Sequence, residues 1–319
     1  MIITEGSKVK PRRAGSRIPR RAGGGVSIRR RLYSLGLPWI LPALIVTVGV
    51  IYFGIAYTGV ASTLSWNGLT PNPPSVGGAN YVRILTDPVF WQALEHTVIF
   101  FIVVFLAQTA LGLVFAVLLH SKVRLGVVYK IIIFVPVVLA PAIMAPVFRQ
   151  IWGVDGQINW VLGHVGLGFL EQPWLAQSST ALAVIISIQI WEFTGLTFVL
   201  YYAAMGQIDQ TVIEAARIDG AGNIRTLVSI IWPDVRGTTV ALAMLTAIGS
   251  LKTFDIPYLV TAGGPNYSTE FLGTYIFRIS IPEGHVGYGA AISMVLLVVS
   301  LAMAILLQVT GREKKGRVR

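Results

Sequence analysis

The chain has 319 residues, of which 54% are hydrophobic and only 12% charged, with a formal net charge of +11. Soluble domains carry about 25% charged residues. That contrast, with a mean hydropathy of +0.71, excludes an ordinary soluble domain. The lack of cysteine excludes disulfides, thiolate metal sites and cysteine nucleophiles.

Taken in chain order, residues 1–37 are rich in Arg, Gly, Pro and Ser and are expected to form a disordered basic cytoplasmic tail. The apolar segment that follows is longer than a signal h-region, so an uncleaved span is expected. From Arg31 to Arg83 no ionisable Asp, Glu, Lys, Arg or His intervenes. Crossing the ~30 Å hydrocarbon core takes about 20 apolar residues. Six such segments are predicted: Pro38–Leu64, Thr97–Leu119, Ile131–Phe148, Ala181–Met205, Thr239–Val260 and Val286–Thr310. Together they make an all-α transmembrane domain over residues 38–310, followed by a basic cytoplasmic tail at 311–319.

Charge asymmetry orients the spans. With both termini cytoplasmic, the inner segments 1–37, 120–130, 206–238 and 311–319 hold 10, 3, 3 and 5 Lys+Arg, or 21 of the 25. Topology and contact with anionic headgroups of the lipid membrane account for these clusters. No folded soluble domain presents them to nucleic acid, so none is expected as a partner.

The outer loops are expected to be turn-rich at 65–90, with Pro71, Pro73 and Pro74, and interfacial at 149–180, with Trp152, Trp160 and Trp174. His96, His120, His164 and His285 lack mutual metal-ligand spacing and read as interfacial, so no metal site is expected. The inner loop at 206–236 is different. Asp209 is a good helix N-cap, and a helix through about Ile218 would stop at Asp219-Gly220, where glycine takes the left-handed conformation. Nine residues at 1.5 Å each give a rod of about 13 Å, too short to be stable without packing. A second helical stretch, about Asn223–Trp232, is expected to end at Pro233.

Glu214-Ala215-Ala216, Asp219-Gly220-Ala221, Ile230 and Pro233, placed between the fourth and fifth spans, resemble the "EAA" signature. That signature belongs to permease subunits of binding-protein-dependent (type I) ABC importers. Asn80-Tyr81, Phe254-Asp255, Thr261-Ala262-Gly263-Gly264-Pro265 and Gly287-Tyr288-Gly289-Ala290-Ala291 are similar to the carbohydrate-type branch. Trp232 stands where the family usually has Leu, Gly237 where Pro is common, and Leu227 replaces a frequent Phe.

The resemblance implies that this loop holds the coupling helices, seated in a groove of an ATP-binding subunit. Glu214 would pair with a basic residue of the groove, Ala215 and Ala216 would permit close seating, and Gly220 would make the bend. It also implies a second permease, two copies of the ATPase, an extracytoplasmic solute-binding protein and a prokaryotic cytoplasmic membrane. No Gly-x-x-x-x-Gly-Lys-Ser/Thr loop occurs. The chain is therefore expected to be no enzyme and to bind no cofactor itself, with ATP and Mg²⁺ held by the partner ATPase.

Polar groups inside spans are costly and face a cavity or a partner. Gln189, Trp191 and Glu192 on the fourth span, and Lys252 and Asp255 on the fifth, are candidates for the solute pathway or for structural and gating pairs. Lys252 and Asp255, three apart, could neutralise one another. Import of a sugar or glycoside is the main expectation. Glycerol-phosphate import would want a cationic pocket, and an ion-coupled secondary transporter would want repeat-related halves, which the sequence lacks.

Overall fold

The computed structural model describes residues 37–120 and 123–312. The two expected basic tails lie almost wholly outside these residues. The chain divides into a unit up to Gly54 and a second from Ile55 onward. The described part of the first, Leu37–Gly54, is helical and apolar, with a π-helical run at Thr47–Tyr52. It belongs to the candidate span α1 (Trp39–Ala61). Among the described residues there are no strands, only an isolated bridge between Leu64 and Ser75.

Three further helices are long and apolar enough to cross a membrane: α3 (Pro88–His120), α7 (Ser178–Met205) and α13 (Val286–Arg312). α3 starts nine residues before the expected Thr97. Asp87 caps it, its Oδ1 accepting from the amides of Val89 at 2.9 Å and Phe90 at 3.3 Å. Pro88, at the first helical position, needs no amide partner. Apolar windows alone do not see this start. Before it, α2 (Ala79–Thr86) interrupts the expected turn-rich loop. Asn80 fastens α2 by donating to the carbonyls of Ser62 at 2.8 Å and Leu64 at 3.1 Å.

The expected third span is not one helix. α4 (Gly126–Phe134) runs through a 3₁₀ turn at Val135–Val138, and α5 (Pro141–Ile151) leaves at a bend of 100°. Pro141 forces the break by holding Ala140 extended (φ −72°, ψ 135°). Gly195 of α7 lies against the break, where an added Cβ would stand 2.9 Å from Phe134 Cα.

The fifth span is likewise divided. α9 (Ile224–Asp234) and α10 (Arg236–Leu251) bend by 70° near Pro233, so the helix runs one residue past the expected proline stop. The chain then leaves the helix at Lys252–Phe254 and resumes as α11 (Asp255–Thr261). Counting each bent pair as one, the described residues hold up to six segments long and apolar enough to cross a membrane.

α3 and α7 form the central pair. Gly112 permits their approach, since a Cβ there would be 2.6 Å from Thr197 Cγ2 and 3.0 Å from the Phe198 nitrogen. Around them, one core near the α3 N-terminal half joins Phe100, Val104, Met144, Ile185, Ile256 and Phe271. A second, at the other end, joins Leu113, Leu119, Tyr201, Met205, Ile213 and Ile231.

His96 is buried, and its Nδ1 lies 2.9 Å from the Glu270 carbonyl, so it packs against the 270–271 segment.

Candidate coupling loop and membrane cavity

The loop 206–236 carries α8 (Gln210–Ile218) and α9. Asp209 caps α8, its Oδ1 accepting from the Thr211 amide at 3.0 Å. The hydrogen bonds from Thr211 hold this carboxyl below the usual aspartate value. At the far end the amide of Ala221 donates to the Ala216 carbonyl at 2.9 Å, with Gly220 at φ +78°. This six-residue closure around a left-handed glycine is the Schellman form of helix ending.

Ile213 is buried in the core formed by α3 and α7, together with Ile208, Ile231 and Val235. This packing supplies what a nine-residue helix cannot supply alone. Glu214 and Ala215 are exposed and Ala216 is half-buried; Asp219 and Gly220 are exposed, and Ala221 is half-buried. Pro233 is exposed. Glu214 makes no ion pair among the described residues.

Two flanking side chains escaped the sequence reading. Ile218 is 86% exposed and Ile224 79%, on either side of the glycine bend. An isoleucine on a solvated turn is a signal of contact only once the fold is known.

A cavity of about 200 Å³ opens between α3, α7 and α10. Gln108 and Gln189, with Thr197, Thr246 and Ser250, are the polar groups of a wall that is otherwise apolar, formed by Phe100, Phe193 and neighbouring aliphatic side chains. No Asp, Glu, Lys or Arg lines it. Gln108 donates through Nε2 to the Gln189 carbonyl at 2.9 Å. Of the polar candidates in the spans, only Gln189 reaches this wall.

Trp191 is exposed, with its ring edge-on to Phe148 at 5.2 Å. Glu192 is buried, yet it does not line the cavity. Lys252 and Asp255 are both exposed and form no ion pair. The three-residue spacing that would align them presumes a helix, and the chain between them is not helical.

At the α3 N-terminal end, Asp87 also accepts from the hydroxyls of Tyr275 on α12 (Leu272–Ser280) and Tyr288 on α13. Burial pushes this carboxyl up, and the hydrogen bonds from both tyrosines and two amides more than offset it, leaving it below the usual value. Nearby, Arg278 Nη2 stands 2.7 Å from Glu270 Oε2, whose side chain is 1% exposed. The contact is close but not aligned as a hydrogen bond, so it acts as charge pairing. Burial raises the Glu270 carboxyl, and Thr274 and Arg278 offset this only in part.

The family model "Binding-protein-dependent transport system inner membrane component" matches residues 32–315. The Bacillus subtilis protein "Probable ABC transporter permease protein YurN" is 30% identical over 271 residues, 84% of this chain and 92% of that protein. "Lactose transport system permease protein LacF" of Rhizobium radiobacter is 31% identical over 267 residues, covering 81% and 85%. "Trehalose/maltose transport system permease protein MalF" of Thermococcus litoralis is 30% identical over 289 residues, covering 90% and 97%. The fold matches a chain in the crystal structure of a bacterial ABC transporter involved in import of the acidic polysaccharide alginate. That match has a TM-score of 0.77 at 20% identity and covers 90% of this chain and 97% of that one. Four long apolar helices, two bent pairs and these matches have one reading: this chain is a multi-pass membrane protein of the binding-protein-dependent ABC transporter permease family.

Proposed function

We propose that the chain is one of two permease subunits of an ATP-driven importer for a di- or oligosaccharide or related glycoside. It would cross the prokaryotic cytoplasmic membrane six times, each bent pair counting once, with both termini inside. One observation carries the coupling role. α8 buries Ile213 in the apolar core around α3 and α7 while Glu214 and Ala215 stay exposed, so a push on the exposed edge would be delivered to α3 and α7. Two copies of a cytoplasmic ATPase, holding ATP and Mg²⁺, would supply that push, one of them on this loop. An extracytoplasmic binding protein would deliver solute to the opposite end.

The cavity supports a neutral polyhydroxylated solute. The side-chain amide of Gln189 can exchange hydrogen bonds with sugar hydroxyls, and the apolar remainder of the wall can cover the C–H faces of a sugar ring. An uncharged wall disfavours a glycerol-phosphate ester, whose charge would need a cation. The relatives named for lactose and for trehalose/maltose transport point the same way.

The test is ATP-dependent uptake by the full complex in proteoliposomes, measured over a panel of saccharides and glycerol phosphates. Gln189→Leu removes one side-chain partner and is expected to raise KM for the transported sugar roughly two- to tenfold. Preference for the phosphate esters, or a Gln189→Leu complex with unchanged KM for every transported saccharide, would overturn the assignment.

A further inference from the structure

The turn between α3 and α4 carries positive charge that no ion pair among the described residues balances. α3 ends at His120 and α4 starts at Gly126, each at the end of a candidate membrane segment. Arg124 is exposed and Lys130 half-buried. No Asp or Glu occurs between Glu95 and Asp155. Among the described residues neither Arg124 nor Lys130 makes an ion pair.

Lys130 is nonetheless held in place. Its Nζ donates to the Tyr202 hydroxyl at 2.6 Å and lies 3.9 Å from the centre of the tyrosine ring. An ammonium has three donors, so two remain after this bond. The tether removes part of the rotamer freedom that a lysine ordinarily loses on binding.

The surface beside it is built for acyl chains. α4 has no buried residue, and Val127, Ile131 and Ile132 are 56–69% exposed. Leu125, at the left-handed φ of 61°, is 66% exposed immediately before it. A tethered lysine with spare donors and an exposed arginine, next to the exposed apolar face of α4, match the two halves of a phospholipid. We infer that this corner is a binding site for an anionic phospholipid, with Lys130 and Arg124 on the phosphate and α4 against the chains. The inference is independent of the transported solute and of which way the chain crosses the membrane.

The purified full chain in detergent is examined by native mass spectrometry with phosphatidylglycerol, phosphatidylcholine and, as a competitor, inorganic phosphate. Wild type is expected to retain phosphatidylglycerol over phosphatidylcholine. Lys130→Gln is expected to weaken the anionic lipid roughly fivefold, and Lys130→Arg to restore it. Arg149→Gln, on a different segment, serves as the control and is expected to change nothing. If Lys130→Gln does not fold, Arg124→Gln, at an exposed position, carries the same comparison with the same expected loss. The inference is overturned by equal retention of the two lipids, or by unchanged binding in the Lys130 and Arg124 variants. It is also overturned if inorganic phosphate displaces the lipid at equal concentration, which would make this a free-phosphate site.

Discussion

Replacing Gly220 with valine would put a β-branched residue at φ +78°. For an L-residue the left-handed region costs about 1–2 kcal/mol, and valine lies at the unfavourable end of that range. Space is not the difficulty, because a Cβ at Gly220 would meet no atom within 4 Å. The whole penalty therefore falls on the backbone turn that closes α8 through Ala221 and Ala216. Since 1.4 kcal/mol is a factor of ten, the population of loops holding this turn should fall roughly 5- to 30-fold. Affinity of the purified permease for its ATPase subunit, and ATP-driven uptake, should fall together by a similar factor. Gly220→Asn, whose side chain tolerates the left-handed region, should lose only a small part of this. The melting temperature of the membrane domain should stay near wild type in both variants, because the strained turn lies outside the cores. The reasoning is refuted if valine behaves like glycine, or if asparagine fails as badly as valine.

Asp87→Asn removes a carboxylate that accepts from two tyrosines and two amides, and should destabilise by about 2 kcal/mol in a thermal or denaturant unfolding series. Because the folded value lies below the unfolded one, its contribution is fully present above about pH 3.9 and is lost as the pH falls through the folded value. The Asn variant should lack this part of the acid sensitivity. Arg278→Ala leaves Glu270 buried without its cation. It should cost about 2 kcal/mol, below the fully buried range because the Arg278 side chain is 25% exposed. Adding Glu270→Leu should recover much of that loss in a double-mutant cycle. Gly195→Ala should destabilise by about 1–3 kcal/mol through overpacking against Phe134, even after the roughly 1 kcal/mol that alanine gains in helix propensity. An unchanged melting temperature would refute the close approach.

The parts of the fold legible in the sequence are those set by local chemistry. The Asp209 cap, the end of α8 at Ile218 and the left-handed Gly220 are each fixed by residues within one turn. The α3 start was also legible, in Asp87-Pro88, but a reading by apolar windows places it at Thr97. The prolines that break the third span are visible in the sequence, whereas the seat that Gly195 of α7 gives the bent segment is not. Lys252 and Asp255 fail as a pair because an i, i+3 argument presumes the helix continues, and it does not.

What the sequence hides is long-range. Asp87 meets Tyr275 across 188 residues and Tyr288 across 201, with no pattern joining them. Gln108 on α3 and Thr246 and Ser250 on α10 are uncharged polar residues, and only the packing of α3, α7 and α10 makes them one wall. Charge drew the sequence reading to Glu192, Lys252 and Asp255, while the cavity is lined by neutral groups.

The central claim is that force enters at the exposed edge of α8 and is supplied by another protein. Isolating the chain from its native membrane and measuring uptake by the isolated assembly tests this most directly. The account predicts that a second permease and an ATPase come with it, and that uptake needs ATP and the extracytoplasmic binding protein. Uptake by this chain alone, driven by an ion gradient without ATP, would contradict it.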